Sequence, residues 1–445
     1  MSVDIENQIG NLFDEIQGGQ TPVTIDEIMA RRLGSEPVRP IAPLAQPATP
    51  RPRWLVAVAA AVAVLLLGGG AALFLGVIGS DGPVATTPPT VDLSSLRWSQ
   101  VPDDEAILSG AGNQSMISVT AGGPGLVAVG SDELSGAAAW TSSDGITWTR
   151  AAAVPRRRTF SSDDRMESVT AGGPGLVGVG TSVWTSVDGV AWTLRDAGLT
   201  SHDTSASTGS DWQLMTSVTA GGPGLVAVGI NWSDPAAGAV WTSVDGITWS
   251  RVPHDEAIFG SSIMTGVTVG GPGLVAVGID WSNPDGDAGV WTSVDGTTWS
   301  RVPNDESVFG GAGLQRMMSV TARGPGLVAV GTEFDEESDA DAAVWTSADG
   351  VVWSRVAHDE TVFGGPGETM SSVSAAGPGL VAVGGNDTGP ASWTSVDGTT
   401  WSRVPFDETA NGHMGSVTVG GPGLVAVGSA DDDREDAAAW IGEDQ

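Results

Sequence analysis

The chain has 445 residues, with 64 Gly, 18 Trp, 4 His, no Cys, no Tyr and a formal net charge of −34. The lack of Cys excludes a disulfide framework, a thiolate metal site and a Cys nucleophile. So large an acidic excess repels phosphate backbones and argues against a nucleic-acid partner. Residues 1–53 hold 7 acids and 5 Arg, a net of −2, whereas from residue 79 onward 46 acids face 14 Arg, a net of −32. All 19 basic residues are Arg, a usage that suggests a high-GC bacterial genome.

In chain order, Ile5, Ile9, Leu12, Phe13 and Ile16 recur at helical spacing and predict a short amphipathic helix over 3–17. A second begins at Thr21-Pro22 or at Thr24, where Thr24 and Glu27 fit a capping box, and ends at Gly34. Pro37 to Pro52 is a Pro-rich spacer. Trp54 to Ile78 contains no charge, and a helix of that length spans a hydrocarbon core of ~30 Å. Arg31, Arg32, Arg39, Arg51 and Arg53 precede this stretch and no Arg lies between Gly79 and Leu96, so the positive-inside bias places the N-terminus in the cytoplasm. The expected organisation is a cytoplasmic tail (1–53), one transmembrane helix (54–78), a stalk (79–96) and an extracellular domain (97–445).

That domain is built of repeats. Gly-Pro-Gly-Leu-Val-(Ala/Gly)-Val-Gly begins at Gly123, Gly173, Gly222, Gly271, Gly324, Gly377 and Gly421. Each unit divides into four strand-like pieces: Ser-Val-Thr before the Gly-Pro-Gly turn, Leu-Val-Ala-Val after it, then (Ala/Val)-Trp-Thr-Ser, then Thr-Trp-Ser-Arg-Val-Pro. Four strands in such a unit make one propeller blade. The last repeat stops at Ala439-Trp440-Ile441-Gly442-Glu443 and lacks its fourth strand, which Arg97-Trp98-Ser99-Gln100-Val101-Pro102 supplies. The prediction is an all-β, seven-bladed β-propeller closed by its own N-terminal strand, which removes exposed edges.

Between strands three and four stands Ser-x-Asp-Gly-x-x-Trp, six times, at Ser142–Trp148, Ser186–Trp192, Ser243–Trp249, Ser293–Trp299, Ser347–Trp353 and Ser395–Trp401. An Asp-Gly pair between strand residues is a hairpin signal. The motif resembles the Asp-box, or bacterial neuraminidase repeat, of sialidases and other bacterial propellers, although the usual box places one residue between Asp and Gly. The resemblance implies structural hairpins, on the face away from any active site, for Asp144, Asp188, Asp245, Asp295, Asp349 and Asp397. It does not bring sialidase activity, because that chemistry uses a Tyr nucleophile and the chain has no Tyr. No catalytic residue is assigned.

Departures from the repeat then mark candidate binding residues. Trp54 belongs to the apolar span and 14 other Trp occupy repeat positions, which leaves Trp212, Trp232 and Trp281. Trp232 (Asn-Trp-Ser-Asp-Pro) and Trp281 (Asp-Trp-Ser-Asn-Pro) occupy matching loops of blades 3 and 4, so all three are expected in one sector of the loop face. With Asp234 and Asp280 they suit stacking on a sugar ring or docking a protein anchor residue; the alternative is that they cover their own blade edges. Asp-Glu recurs at Asp104-Glu105, Asp255-Glu256, Asp305-Glu306, Asp359-Glu360 and Asp407-Glu408. Such oxygen-rich loops suit Ca²⁺, yet none matches an EF-hand, and a solvated acidic surface is the other reading; no other cofactor or metal is expected. His202, His254, His358 and His413 lie in blade-to-blade loops, too far apart around a ring to share one metal. Three functions remain open: a non-enzymatic binding module for a protein or glycan, a transmembrane sensor with a cytoplasmic partner at residues 1–53, and a hydrolase or lyase of surface glycans.

Overall fold

The computed structural model describes residues 92–444 apart from 103–106, 110–111, 153, 156–163, 200–211, 233–235, 312, 324–325, 336–338, 407–410, 422 and 431–435. The predicted tail, transmembrane helix and most of the stalk lie outside the described residues. Among the described residues no helix is long and apolar enough to cross a membrane.

Seven four-stranded antiparallel sheets are present, each running in sequence order from its first strand to its fourth, except the last. Blade 4 is representative: Ser262–Gly270, Gly273–Asp280, Asp287–Ser293 and Trp299–Arg301. First strands touch the first strands of both neighbouring blades all the way round, so they line the axis and the blades radiate from it. The second-strand run, Leu-Val-(Ala/Gly)-Val, is wholly buried in every blade, as expected of an apolar strand packed on both faces.

The ring closes in blade 7. Leu96–Gln100 pairs antiparallel with Ala437–Asp444, in the register Leu96↔Asp444 to Gln100↔Trp440. This is the expected donation of the missing fourth strand. Leu96 and Trp98 are buried beside Leu424, Met414 and Trp440, while Met116 and Trp140 of blade 1 pack on Val425, Val427 and Ile441 of blade 7.

Blades are joined by three repeated devices. Every first strand bulges after a buried Met, as between Met116 and Ser118. The Ser beyond the bulge accepts the backbone N–H of the next blade's Val: Ser118 from Val169, Ser168 from Val218, Ser217 from Val267, Ser319 from Val373, Ser372 from Val417 and, across the closure, Ser416 from Val119. Blade 4 has Gly266 at this place; there Thr265 Oγ1 donates to the Met317 carbonyl at 2.6 Å. The Gly ending each second-strand phrase faces the bulge, and a Cβ on Gly278 would sit on the carbonyl oxygen of Ile263.

The second device is the third-strand Trp. In five blades its indole N–H donates to a carbonyl of the incoming loop, as from Trp140 to Ile107 (2.9 Å), Trp291 to Ile258 (2.7 Å) and Trp345 to Val308 (2.7 Å). Those loops carry the Asp-Glu pairs. Asp255 and Asp305 cap single helical turns, Glu256–Phe259 and Glu306–Phe309, and accept the N–H groups of Ala257 and Ser307. Asp359 accepts Thr361 N–H in the same way at 3.0 Å. Phe259, Phe309 and Phe363 are thereby turned into the cores between blades.

The third is the Ser-x-Asp-Gly-x-x-Trp hairpin. In the blade 4 copy, Asp295 Oδ1 accepts the N–H groups of Thr297 (2.8 Å) and Thr298 (2.7 Å), Ser293 Oγ accepts Gly296 N–H (2.8 Å), and Trp299 donates to the Gly296 carbonyl (3.0 Å). Gly296 has φ +79°, which adjacency to Asp within the turn requires. In five blades the described Gly-Pro-Gly turn lies against the next blade's hairpin: a Cβ on Gly222 would meet the Asp295 carbonyl, and one on Gly421 would meet Asp144, again across the closure.

Two outcomes follow from these joints. Leu96→Ala removes a wholly buried side chain from the seam and is expected to lower stability by about 2–5 kcal/mol; denaturant unfolding measures it, and a loss below ~1 kcal/mol would show that the seam carries little. The hairpin carboxylates, held low chiefly by the two backbone N–H donors, sit below the ordinary 3.8, at about 2 for Asp144, Asp295 and Asp397. A depressed folded-state pKa contributes stability above the unfolded value that is lost as pH falls through the folded one. The melting temperature is therefore expected to drop between pH values of about 4 and 2, and Asp397→Asn should flatten that slope.

Candidate functional site

Hairpins of the first–second and third–fourth type fall on one face of the ring, because strands alternate in direction. The loops joining strands two to three, and blade to blade, fall on the other. Trp212 opens the first strand of blade 3, and Trp232 ends its second strand as the cross-strand partner of Trp212. Trp281 directly follows the second strand of blade 4. All three therefore stand on the loop face.

They also meet. Trp212 and Trp232 stack with centroids 5.2 Å apart and planes 16° from parallel. With Trp281 and Ala236 they pack on a small apolar base of Leu214, Ile230 and Ile263, separate from the large cores between blades. Each of the three is half-buried, and the Trp232 indole N–H is enclosed without a hydrogen-bond acceptor. Trp281 lies over Gly286, where a Cβ would come 2.8 Å from its ring, and its backbone N–H donates to the Ser261 carbonyl at 2.7 Å.

Asp280 has a different occupation. It is buried and forms an ion pair with Arg301, while its Oδ1 accepts Ser282 N–H at 2.8 Å. Its carboxylate is thus committed inside blade 4. Asp234 lies outside the described residues.

The pairing belongs to a pattern that the repeat alone did not disclose. A fourth-strand Arg sits in register with the third-strand Trp in each of five blades: Trp140↔Arg150, Trp241↔Arg251, Trp291↔Arg301, Trp345↔Arg355 and Trp393↔Arg403. Arg150, Arg355 and Arg403 stand 5.6–5.8 Å from the centroids of their Trp rings. Four of the five also meet an acid of the same blade: Asp132, Asp280, Glu333 and Glu368. Blade 3 is the exception. Asn231, the residue before Trp232, replaces the acid, and the half-buried Arg251 has no acidic partner among the described residues; burial lowers its pKa.

A second cluster lies between blades 5 and 6 on the same face. His358 Nδ1 is 3.3 Å from Glu333 Oε1, and its Nε2 is 3.2 Å from Glu360 Oε2 and 3.9 Å from Asp341 Oδ2. Burial raises the pKa of Asp341, with His358 opposing and Glu360 adding to the shift. Burial likewise raises that of Glu368. The six hairpin aspartates stand on the opposite face, their carboxylates engaged by their own turns.

No protein-family model and no curated protein matches the sequence. Among solved structures the chain is similar to the BP39L lectin from Burkholderia pseudomallei, with a TM-score of 0.49 and 12% identity, covering 74% of this chain and 96% of that one. It is also similar to a Trypanosoma rangeli sialidase, with a TM-score of 0.42 and 14% identity, covering 74% of this chain and 54% of that one. The chain thus spans about half the sialidase, and likenesses at these identities concern the propeller fold alone.

Proposed function

We propose that the propeller is a non-enzymatic binding module that engages a glycan or protein ligand through the Trp212–Trp232–Trp281 patch on the loop face. The observation that carries this reading is the convergence of the three tryptophans that stand outside the repeat. Two blades each contribute ring surface to one half-buried patch, and in blade 3 Arg251 lacks, among the described residues, the acid its counterparts have. Flat aromatic faces with adjacent hydrogen-bond donors suit a sugar ring or a protein anchor side chain. We place the Ser-x-Asp-Gly-x-x-Trp hairpins with the Asp-box type, as scaffolding of the opposite face. Residues 54–78 are proposed as a single membrane anchor, with residues 1–53 in the cytoplasm and the propeller outside; the uncharged stretch and the preceding arginines support it.

A screen of the purified chain against glycans and surface proteins identifies the ligand. Trp232→Ala and Trp281→Ala are each expected to weaken that interaction tenfold or more, equivalent to about 1.4 kcal/mol. The melting temperature should change little, because the patch is separate from the interblade cores. If both variants keep every interaction of the parent chain, the patch is not the site. Protease treatment of intact cells tests the anchor: the propeller should be cut or released while residues 1–53 remain protected, and the reverse pattern would overturn the orientation.

A further inference from the structure

We propose that Asp341, His358 and Glu360 form a binding site for a divalent cation of the zinc type, with Glu333 orienting the imidazole. One ligand atom from each of the three residues lies within 4.8 Å of the other two. A tetrahedral shell with bonds of ~2.0–2.2 Å spaces its donors by roughly 3.4 Å, so a small inward movement completes three corners. Glu360 is exposed and free to make it. An imidazole nitrogen with two carboxylates suits zinc better than calcium, which takes an all-oxygen shell.

The imidazole is already oriented for the task. Glu333 Oε1 lies against Nδ1, leaving Nε2 toward Asp341 and Glu360. A carboxylate on the far nitrogen is the usual way a metal-bound histidine is held. Arg355 in turn pairs with Glu333 and fixes it.

A separate observation comes from outside the triad. Glu368 is 0% exposed, and its Oε1 accepts no hydrogen bond, although Oε2 takes Arg403 at 2.7 Å and Asn386 at 3.1 Å. It lies close enough to Asp341 for the two negative charges to oppose one another. A Cβ on Gly365 would come 2.8 Å from Glu368 Oε2, so only Gly fits beside that carboxylate. Arg355 is taken by Glu333 and Arg403 by Glu368 Oε2, so among the described residues no Arg meets Asp341, Glu360 or Glu368 Oε1, and these acids lack a balancing positive charge beyond what the single His358 can offer. A cation next to Asp341 supplies it.

Neighbouring blades act as internal controls. In blade 4 the places of Asp341 and His358 hold Asp287 and Asn304, and the Asn304 amide donates to Asp287 at 2.6 Å, joined by Asn283. That acid is satisfied by amides. In blade 3, His254 meets Glu256 at 3.0 Å, but Ala237 stands where blade 5 has Asp341 and Asn231 where it has Glu333. Only blade 5 combines the full set of donors.

The test is calorimetric titration of the chelator-treated full chain with zinc chloride. One equivalent is expected to bind and to raise the melting temperature. His358→Ala and Asp341→Asn should each weaken zinc at least about tenfold, while His254→Ala leaves it unchanged. If Asp341→Asn fails to fold by circular dichroism, His358→Ala decides the matter, since that ring is partly exposed. No saturable zinc binding, zinc binding that survives His358→Ala, or calcium binding indifferent to His358→Ala would each overturn the proposal.

Discussion

Everything in this molecule depends on closing a ring with hydrogen bonds rather than with a covalent link. Each blade buries two faces, and a face is buried only if another blade stands against it. An open arc of seven blades would leave two large apolar faces in water and two unpaired sheet edges. Leu96–Gln100, pairing with Ala437–Asp444, joins the N-terminal strand to the last blade, so that the two ends of the domain cannot part without breaking a sheet. The chain has no Cys to do this by any other means.

Closure explains why so much of the sequence repeats. The Ser bridge beyond each Met bulge, the third-strand Trp stapling the incoming loop and the Gly-Pro-Gly turn resting on the next hairpin all act between blades. Such devices recur from joint to joint because the angle between blades has to sum to a full turn. Gly266 is the one departure at the Ser position, and there Thr265 carries the cross-blade bond to Met317. The hairpin acids serve the same economy. Each satisfies two N–H groups of its own tight turn.

What was legible in the sequence follows from this division. Blade number, the four strands and the donated strand all come from positions that recur, and recurrence is visible without coordinates. The sector shared by Trp212, Trp232 and Trp281 was legible as well, since matching loops of adjacent blades must be neighbours on one face. Other features were not. The Asp-Glu pairs read as solvated charge or as calcium ligands, whereas Asp255, Asp305 and Asp359 each bond the backbone two residues on, which turns a Phe into the core. Asp280 read as a candidate ligand contact, but its partner Arg301 lies on another strand of the blade and is reached only when the sheet forms. The surroundings of His358 come from the second and third strands of blade 5 and from the loop entering blade 6, and no spacing rule links them.

These cross-strand partnerships share a cause. Charges in such a chain look redundant because each blade supplies one, yet the fold assigns each a specific partner across strands. An informative residue is therefore one whose counterparts are all satisfied while it is not. Arg150, Arg301, Arg355 and Arg403 each hold an acid, and Arg251 holds none among the described residues. Asp287 is bonded by two amides, whereas Asp341 faces an imidazole and two further carboxylates. In a ring of nearly equivalent blades the scaffold's requirements are the same everywhere, so an imbalance confined to one blade is not required by the scaffold. Blades 3 and 5 each carry such an imbalance on the loop face, where strand connections vary in length and the joints between blades impose least.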